Sequence, residues 1–206
     1  LTKEPYFRDV NFTLHEGEIL GVFGLVGAGR SEVARTIVGD FHKDRGKVIL
    51  NGKEVNFTHP QQAIINGVGF LTEDRRGEGL ATEMEVYKNI SMAVFWHHLR
   101  QGFRLKLQEE KKIAEEFVEK LRIVTPSIFQ RVKFLSGGNQ QKVVVAKWLC
   151  ASPQILILDE ATRGIDVGAK AEIYQLTVDL ARQGIGIIFI SSEIEEILGL
   201  SDRLLV

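Results

Sequence analysis

An α/β fold with a mainly parallel sheet, an N-terminal antiparallel β part and an inserted helical subdomain is predicted by three features of this 206-residue chain. Four short runs are apolar throughout: Ile19–Phe23, Val68–Leu71, Ile155–Leu158 and Ile185–Ile190. Runs of that kind belong to parallel strands covered by helices on both faces. Helical patterns alternate with them, and a stretch of different character, 85–152, interrupts the series.

Near the start, Val10-Asn11-Phe12-Thr13-Leu14 alternates like a strand already under way, and Leu204-Leu205-Val206 reads as another. The chain therefore reads as a domain trimmed from a longer polypeptide. Lys47–Leu50 and Lys53–Val55 flank Asn51-Gly52, the turn pair of a two-residue hairpin. One helix opens near Arg30. A second is predicted from about Gly168 to Gln183, with Ile173, Leu176 and Leu180 on one face and Gly184 where a C-cap belongs. Within the inserted stretch, Gln108–Arg122 is charge-rich with Ile113, Phe117 and Leu121 four apart, an amphipathic surface helix. Another helix is expected after Ser136-Gly137-Gly138, running through Val143, Val144 and Trp148. The domain plan is thus 1–84 and 153–206 for the core and 85–152 for the helical insert.

Composition narrows the function classes. Charge is balanced, 26 basic against 27 acidic residues, which counts against a protein that grips nucleic acid by its phosphates. The single cysteine, Cys150, allows no internal disulfide and fits a small buried hydrophobe in a reducing compartment. The longest apolar stretch, Ile19–Gly29, is glycine-broken and too short to cross a bilayer, and no signal peptide precedes it. A soluble, cytoplasmic domain is expected, with any membrane role supplied through a partner. Adjacent His97 and His98 diverge on a helix, away from any cysteine or carboxylate cluster, so they are not a metal site.

Three strings carry chemistry. Gly24-Leu25-Val26-Gly27-Ala28-Gly29-Arg30-Ser31 fits the spacing of a phosphate loop, with arginine in the lysine position. Its N–H groups would form a nest for a phosphate continuing to Glu32, and the Ser31 hydroxyl would reach Mg²⁺. A P-loop NTPase core is expected on this spacing, against a plain glycine-rich β–α turn; the G-x-G-x-x-G spacing of dinucleotide folds is not met. Ile155–Leu158 delivers Asp159 and Glu160 to the sheet's edge, a pair that is either catalytic or a plain strand end. Leu135-Ser136-Gly137-Gly138-Asn139-Gln140 is a Ser-Gly-Gly turn into a helix, presenting bare N–H groups and a positive helix end to an anion. Ser192 and Glu195 form an S-x-x-E capping box for a helix carrying Ile194, Ile197 and Leu198, and Asp166 reads as an N-cap.

These strings, in this order, resemble the ATP-binding cassette (ABC) ATPases over nearly the whole chain. The resemblance implies ATP and Mg²⁺ as cofactors, with Asp159 and Ser31 at the metal and Glu160 polarising the attacking water. It implies that Ser136, Gly137 and Gly138, with Leu135, Asn139 and Gln140 around them, close over ATP held by a second, head-to-tail domain, which Asp166 also contacts. Three positions depart from the general pattern: Arg30 for lysine, Glu73 for the glutamine that meets metal and water, and Ser192 for the histidine that meets the γ-phosphate. With Thr72-Glu73-Asp74-Arg75-Arg76 and Thr162-Arg163-Gly164-Ile165-Asp166, the departures are similar to the second half of tandem ATPases that drive bacterial monosaccharide import. In that resemblance the partners are the other ATPase half, transmembrane permease subunits and, indirectly, a periplasmic sugar-binding protein. It places the domain on the cytoplasmic face of the membrane, with a poorly hydrolysing pocket of its own. Tyr6 and Phe7 stand nearest the position of an adenine-stacking aromatic. A soluble ABC ATPase acting on nucleic acid or ribosomes, and a nucleotide-binding regulatory module, remain alternatives.

Overall fold

The computed structural model describes residues 1–25, 27–100 and 107–206, except the side chains of 95–100. Val26 and the side chains of His97 and His98 lie outside the described residues. In chain order the elements are β1 (Ile19–Phe23), α1 (Arg30–Ile37), β2 (Val48–Leu50), β3 (Lys53–Val55), α2 (Pro60–Ile65), β4 (Val68–Leu71), α3 (Val86–Arg100) and α4 (Leu107–Lys120). They continue with α5 (Gly137–Cys150), β5 (Ile155–Asp159), α6 (Val167–Arg182), β6 (Gly186–Ser191), α7 (Ile194–Leu200) and β7 (Arg203–Leu205). A π-helical turn spans Arg75–Gly79.

The chain forms two compact units. The first comprises Leu1–Phe70, Gln154–Glu160 and Val178–Val206; the second comprises Leu71–Pro153 and Ala161–Thr177.

The first unit is built on a five-stranded sheet ordered β4-β5-β6-β1-β7. β6 pairs in parallel with β5 and β1, and β1 in parallel with β7. Alternate residues of each strand face opposite sides. On one side Ile157, Ile188 and Ile190 pack with Ala34 of α1 and Val38 just after it, Ala63 of α2, and Val68 and Phe70. Toward the other side, a Cβ on Gly21 would lie 2.8 Å from Ile197 of α7, so glycine lets this helix sit directly on β1. Both faces are covered, which is why the strands read as unbroken apolar runs.

β2 and β3 form the antiparallel hairpin, and Asn51 and Gly52 take the left-handed φ values of 50° and 75° that its turn needs. Gly184, at φ 93°, ends α6 with its N–H on the Ala181 carbonyl. The expected strand at Val10–Leu14 is absent. Its burial alternates as predicted, but no strand pairs with it, so period-2 patterning here marks one half-buried side without a ladder.

The second unit packs α3, α4 and α5 together. Lys147 of α5 donates to the Gly79 carbonyl at 2.6 Å, and burial lowers its pKa to about 8. Lys142 bonds the Arg122 carbonyl and pairs with Glu172 at 2.7 Å. Cys150 is half-buried, and burial pushes its thiol up to about 11.

Candidate functional site

In the first unit, strand order brings together residues far apart in the chain. β6 lies between β1 and β5, with Phe23 level with Ser191 and Asp159 level with Ile190. The loop after β1, the carboxylates ending β5 and the serines ending β6 therefore meet at one edge, the carboxyl ends of parallel strands where α/β proteins bind ligands.

The loop Gly24–Gly29 is shaped by its glycines. Gly27 and Gly29 have φ of 86° and 85°, and a Cβ on Gly29 would lie 2.6 Å from the Tyr6 carbonyl oxygen. Among the described residues no side chain caps the N-terminus of α1. The first-turn N–H groups of Arg30, Ser31 and Glu32 are thus left for a ligand, next to an exposed Leu25.

Arg30 does not point outward from this loop. Its guanidinium pairs with Glu160 Oε1 at 3.3 Å, with only 10% and 8% of the two side chains exposed. Ser192 donates its hydroxyl to the other carboxylate oxygen, Glu160 Oε2, at 3.1 Å. Glu160 itself sits at φ 49°, the left-handed region, held by its N–H on the Ile190 carbonyl at 3.0 Å. A non-glycine residue in that region costs on the order of 1 kcal/mol, an expense typical of functional positions.

The neighbouring Asp159 is 1% exposed. Burial raises its pKa to about 6, opposed by a hydrogen bond from Ser31. Its Oδ1 is buried without a partner, as is Arg30 Nη1. A buried, unpaired carboxylate oxygen beside a serine hydroxyl is the donor set of a hard divalent cation, so Ser31 and Asp159 fit Mg²⁺. Among the described residues no group of three or more His, Cys, Asp and Glu could hold a metal alone.

Ser192 corrects the sequence expectation, because it does not cap α7. β6 runs one residue further than the apolar pattern, so Glu193 becomes the N-cap of α7 and the 1%-exposed Ser191 sits two residues before it. Ser191 accepts from the Glu193 N–H at 3.0 Å and donates to Glu196 at 2.7 Å. Ser192, one step on, is released toward Glu160. A cavity of about 650 Å³ opens beside the loop, lined by Phe7, Val10, Phe12, Ala28 and Val33 among others. Phe7 contributes to its wall, whereas Tyr6 packs on Phe41 with centroids 5.8 Å apart.

The remaining predicted residues belong to the second unit. Ser136 caps α5, accepting from the Asn139 N–H at 3.4 Å and the Asn139 side-chain amide at 2.9 Å. It only accepts in these bonds, so its own proton is left to donate. Gly137 is half-buried, and Gly138 sits so close to α6 that an added Cβ would be 2.5 Å from Ala169 Cβ. Leu135 is buried, and Asn139 holds the Val124 N–H at 2.7 Å. Gln140 is 1% exposed, its amide donating to the Val132 and Leu135 carbonyls at 3.2 Å each. Its side chain is spent on that turn. Asp166 caps α6 by accepting from the Ala169 N–H at 2.9 Å. Glu73 is exposed and forms an ion pair with Arg163.

Sequence reasoning passed over Arg75. It donates to the Arg163 carbonyl at 2.7 Å and the Gly164 carbonyl at 3.1 Å. Its sequence signal is its place in Thr72-Glu73-Asp74-Arg75-Arg76, which does not say what its guanidinium meets.

The ABC transporter family profile matches residues 7–163. A putative ribose/galactose/methyl galactoside import ATP-binding protein of Agrobacterium fabrum is 48% identical over the whole chain, which covers 41% of that relative. The ribose import ATP-binding protein RbsA of Clostridium tetani is 46% identical over 97% of the chain, covering 39% of it. The chain thus spans about two-fifths of the length of these curated relatives. In fold, a dimeric post-hydrolysis ATP-binding cassette bound to ADP and phosphate superposes with TM-score 0.83 at 21% identity, over 100% of this chain and 88% of that one.

Proposed function

The chain belongs to the ABC transporter family, and from that premise we propose that it is one ATP-binding half of a sugar-import ATPase with two unequal sites. Its own pocket, Gly24–Glu32 with Asp159, Glu160 and Ser192, binds ATP but turns it over slowly. Its Ser136-Gly137-Gly138 turn completes the ATP site of a second, head-to-tail ATPase domain, with Asp166 at that same junction. The sugar class rests on relatives named for ribose and galactose import. Permease subunits are the membrane partner, reached from the cytoplasmic face, and a periplasmic sugar-binding protein delivers the cargo. Among the described residues no helix is long and apolar enough to cross a membrane itself.

The observation that carries the slow pocket is the Arg30–Glu160 pair. A glutamate that polarises water must present a free carboxylate oxygen to it. Here one oxygen faces a guanidinium and the other accepts the Ser192 hydroxyl. Removing a partner from a buried pair costs about 3–5 kcal/mol. At about 1.36 kcal/mol per tenfold in rate, having to break this pair before each turnover would slow hydrolysis in the wild-type pocket by more than about a hundredfold. Lysine in place of Arg30 is a point charge on a shorter stem and would leave Glu160 free. Ser31 and Asp159 would hold Mg²⁺, which when bound would supply charge neutralisation at the phosphates. The chain's own groups bind and orient: loop N–H groups cradle the phosphate, and Ser31 is aligned by its bond to Asp159.

The test disables the partner's pocket in the assembled ATPase and follows nucleotide binding and turnover at this one. Wild type is expected to retain bound ATP with turnover near background, and Arg30→Lys with Ser192→His to raise turnover at least about tenfold. Efficient turnover by the wild-type pocket contradicts the proposal.

A further inference from the structure

The second unit holds a strut that the site description leaves without a role. Asp74 accepts from the N–H groups of Arg76 and Gly77, at 3.2 and 2.9 Å, and so starts the π-helical turn that fixes Arg75. From there the Arg75 guanidinium forks onto two successive carbonyls, Arg163 and Gly164. Its Nη2 lies 3.0 Å from where a Cβ on Gly137 would stand. One guanidinium therefore touches the Arg163–Asp166 loop and the first residue of α5. Glu73 grips the same loop from outside through the Arg163 side chain. Asp166 then ties the loop to α6, and Ala169 of α6 packs on Gly138.

We propose that Arg75 is a positioning residue for the phosphate site completed in the partner, setting the Arg163–Asp166 loop in register with the Ser136-Gly137-Gly138 turn. The inference rests on the reading that this turn serves the partner's ATP. Only arginine suits the task. Its planar fork spans adjacent carbonyls, while an ammonium bonds one and lets the other drift. Glu73 belongs to the same brace and is held away from metal by Arg163. The space opposite Gly137 is occupied by the guanidinium, so the glycine at that position accommodates Arg75 as well as a phosphate.

Arg75→Lys, Glu73→Gln and Ser136→Ala are compared in the assembled, full-length ATPase, reading kcat, KM for ATP, melting temperature and nucleotide binding at this chain's own pocket. Small displacements of catalytic groups cost up to about a hundredfold in rate. Arg75→Lys is expected to lower kcat by about tenfold, and Glu73→Gln by about threefold, with KM, melting temperature and own-pocket binding unchanged. Wild-type kcat in Arg75→Lys, with a loss in Ser136→Ala, overturns the positioning role alone. A kcat loss that only follows a fall in melting temperature also overturns it. Wild-type kcat in Ser136→Ala overturns the partner-site reading, and this inference with it.

Discussion

Two turns in this chain use one backbone device and put it to different ends. Gly24–Gly29 before α1 and Ser136-Gly137-Gly138 before α5 are both glycine turns into a helix N-terminus, the first without a side-chain cap and the second capped by Ser136. In the proposed function both face phosphate. Around the first, the side chains turn inward on each other: Arg30 and Ser192 share the two oxygens of Glu160. Around the second, Ser136 keeps a free proton and stays exposed, while Arg75, Gln140 and Asn139 hold the frame from behind. A phosphate-binding backbone is therefore no guarantee of chemistry. Whether the surrounding acid is free or already paired decides what the turn does.

That contrast can be broken at several points. The largest structural effect is expected from Gly138→Ala, whose methyl would meet Ala169 Cβ at 2.5 Å. Overpacking of this kind costs about 1–3 kcal/mol, and α5 would shift with it. Thermal unfolding should show the loss, and turnover by the partner's site should fall with binding at Arg30's pocket untouched.

Asp159→Asn is comparable in size. Folded Asp159 holds its proton up to about pH 6, whereas an unfolded aspartate releases it near 4. Stability is thus lost as pH rises through that window, the opposite of a salt-bridged carboxylate. Without Mg²⁺, Asp159→Asn should be more stable to unfolding than wild type at pH 8, by roughly 2–3 kcal/mol. The two should coincide below pH 4, and saturating Mg²⁺ should reverse their order at pH 8. The smallest effect belongs to Ser192→Ala, which removes one hydrogen bond worth about 1 kcal/mol and leaves Arg30 alone on Glu160.

Much of this was legible in the sequence, for identifiable reasons. The strands and the Asn51-Gly52 hairpin were readable because burial on both faces and left-handed turn positions restrict residue choice sharply. Asp166 announced itself as a cap, and it caps α6. Val10–Leu14 misled because alternation records a half-buried side and says nothing of a partner strand. Ser192 misled because β6 runs one residue further than its apolar pattern, which makes Glu193 the N-cap and leaves Ser191, not Ser192, to hold its N–H. The Arg30–Glu160 pair could not be read at all. It exists because β6 separates β1 from β5, which places the two residues across one edge. Arg75 was equally silent, since no pattern states which carbonyl an arginine will find.

The most direct measurement replaces Glu160 by glutamine and, separately, Ser136 by alanine in the assembled ATPase, and compares steady-state ATP turnover. With Glu160 already bound by Arg30, Glu160→Gln should keep more than about half of wild-type turnover, while Ser136→Ala should lose about tenfold or more. If Glu160→Gln abolishes turnover and Ser136→Ala leaves it intact, the chain hydrolyses ATP in its own pocket and the division between its two turns is wrong.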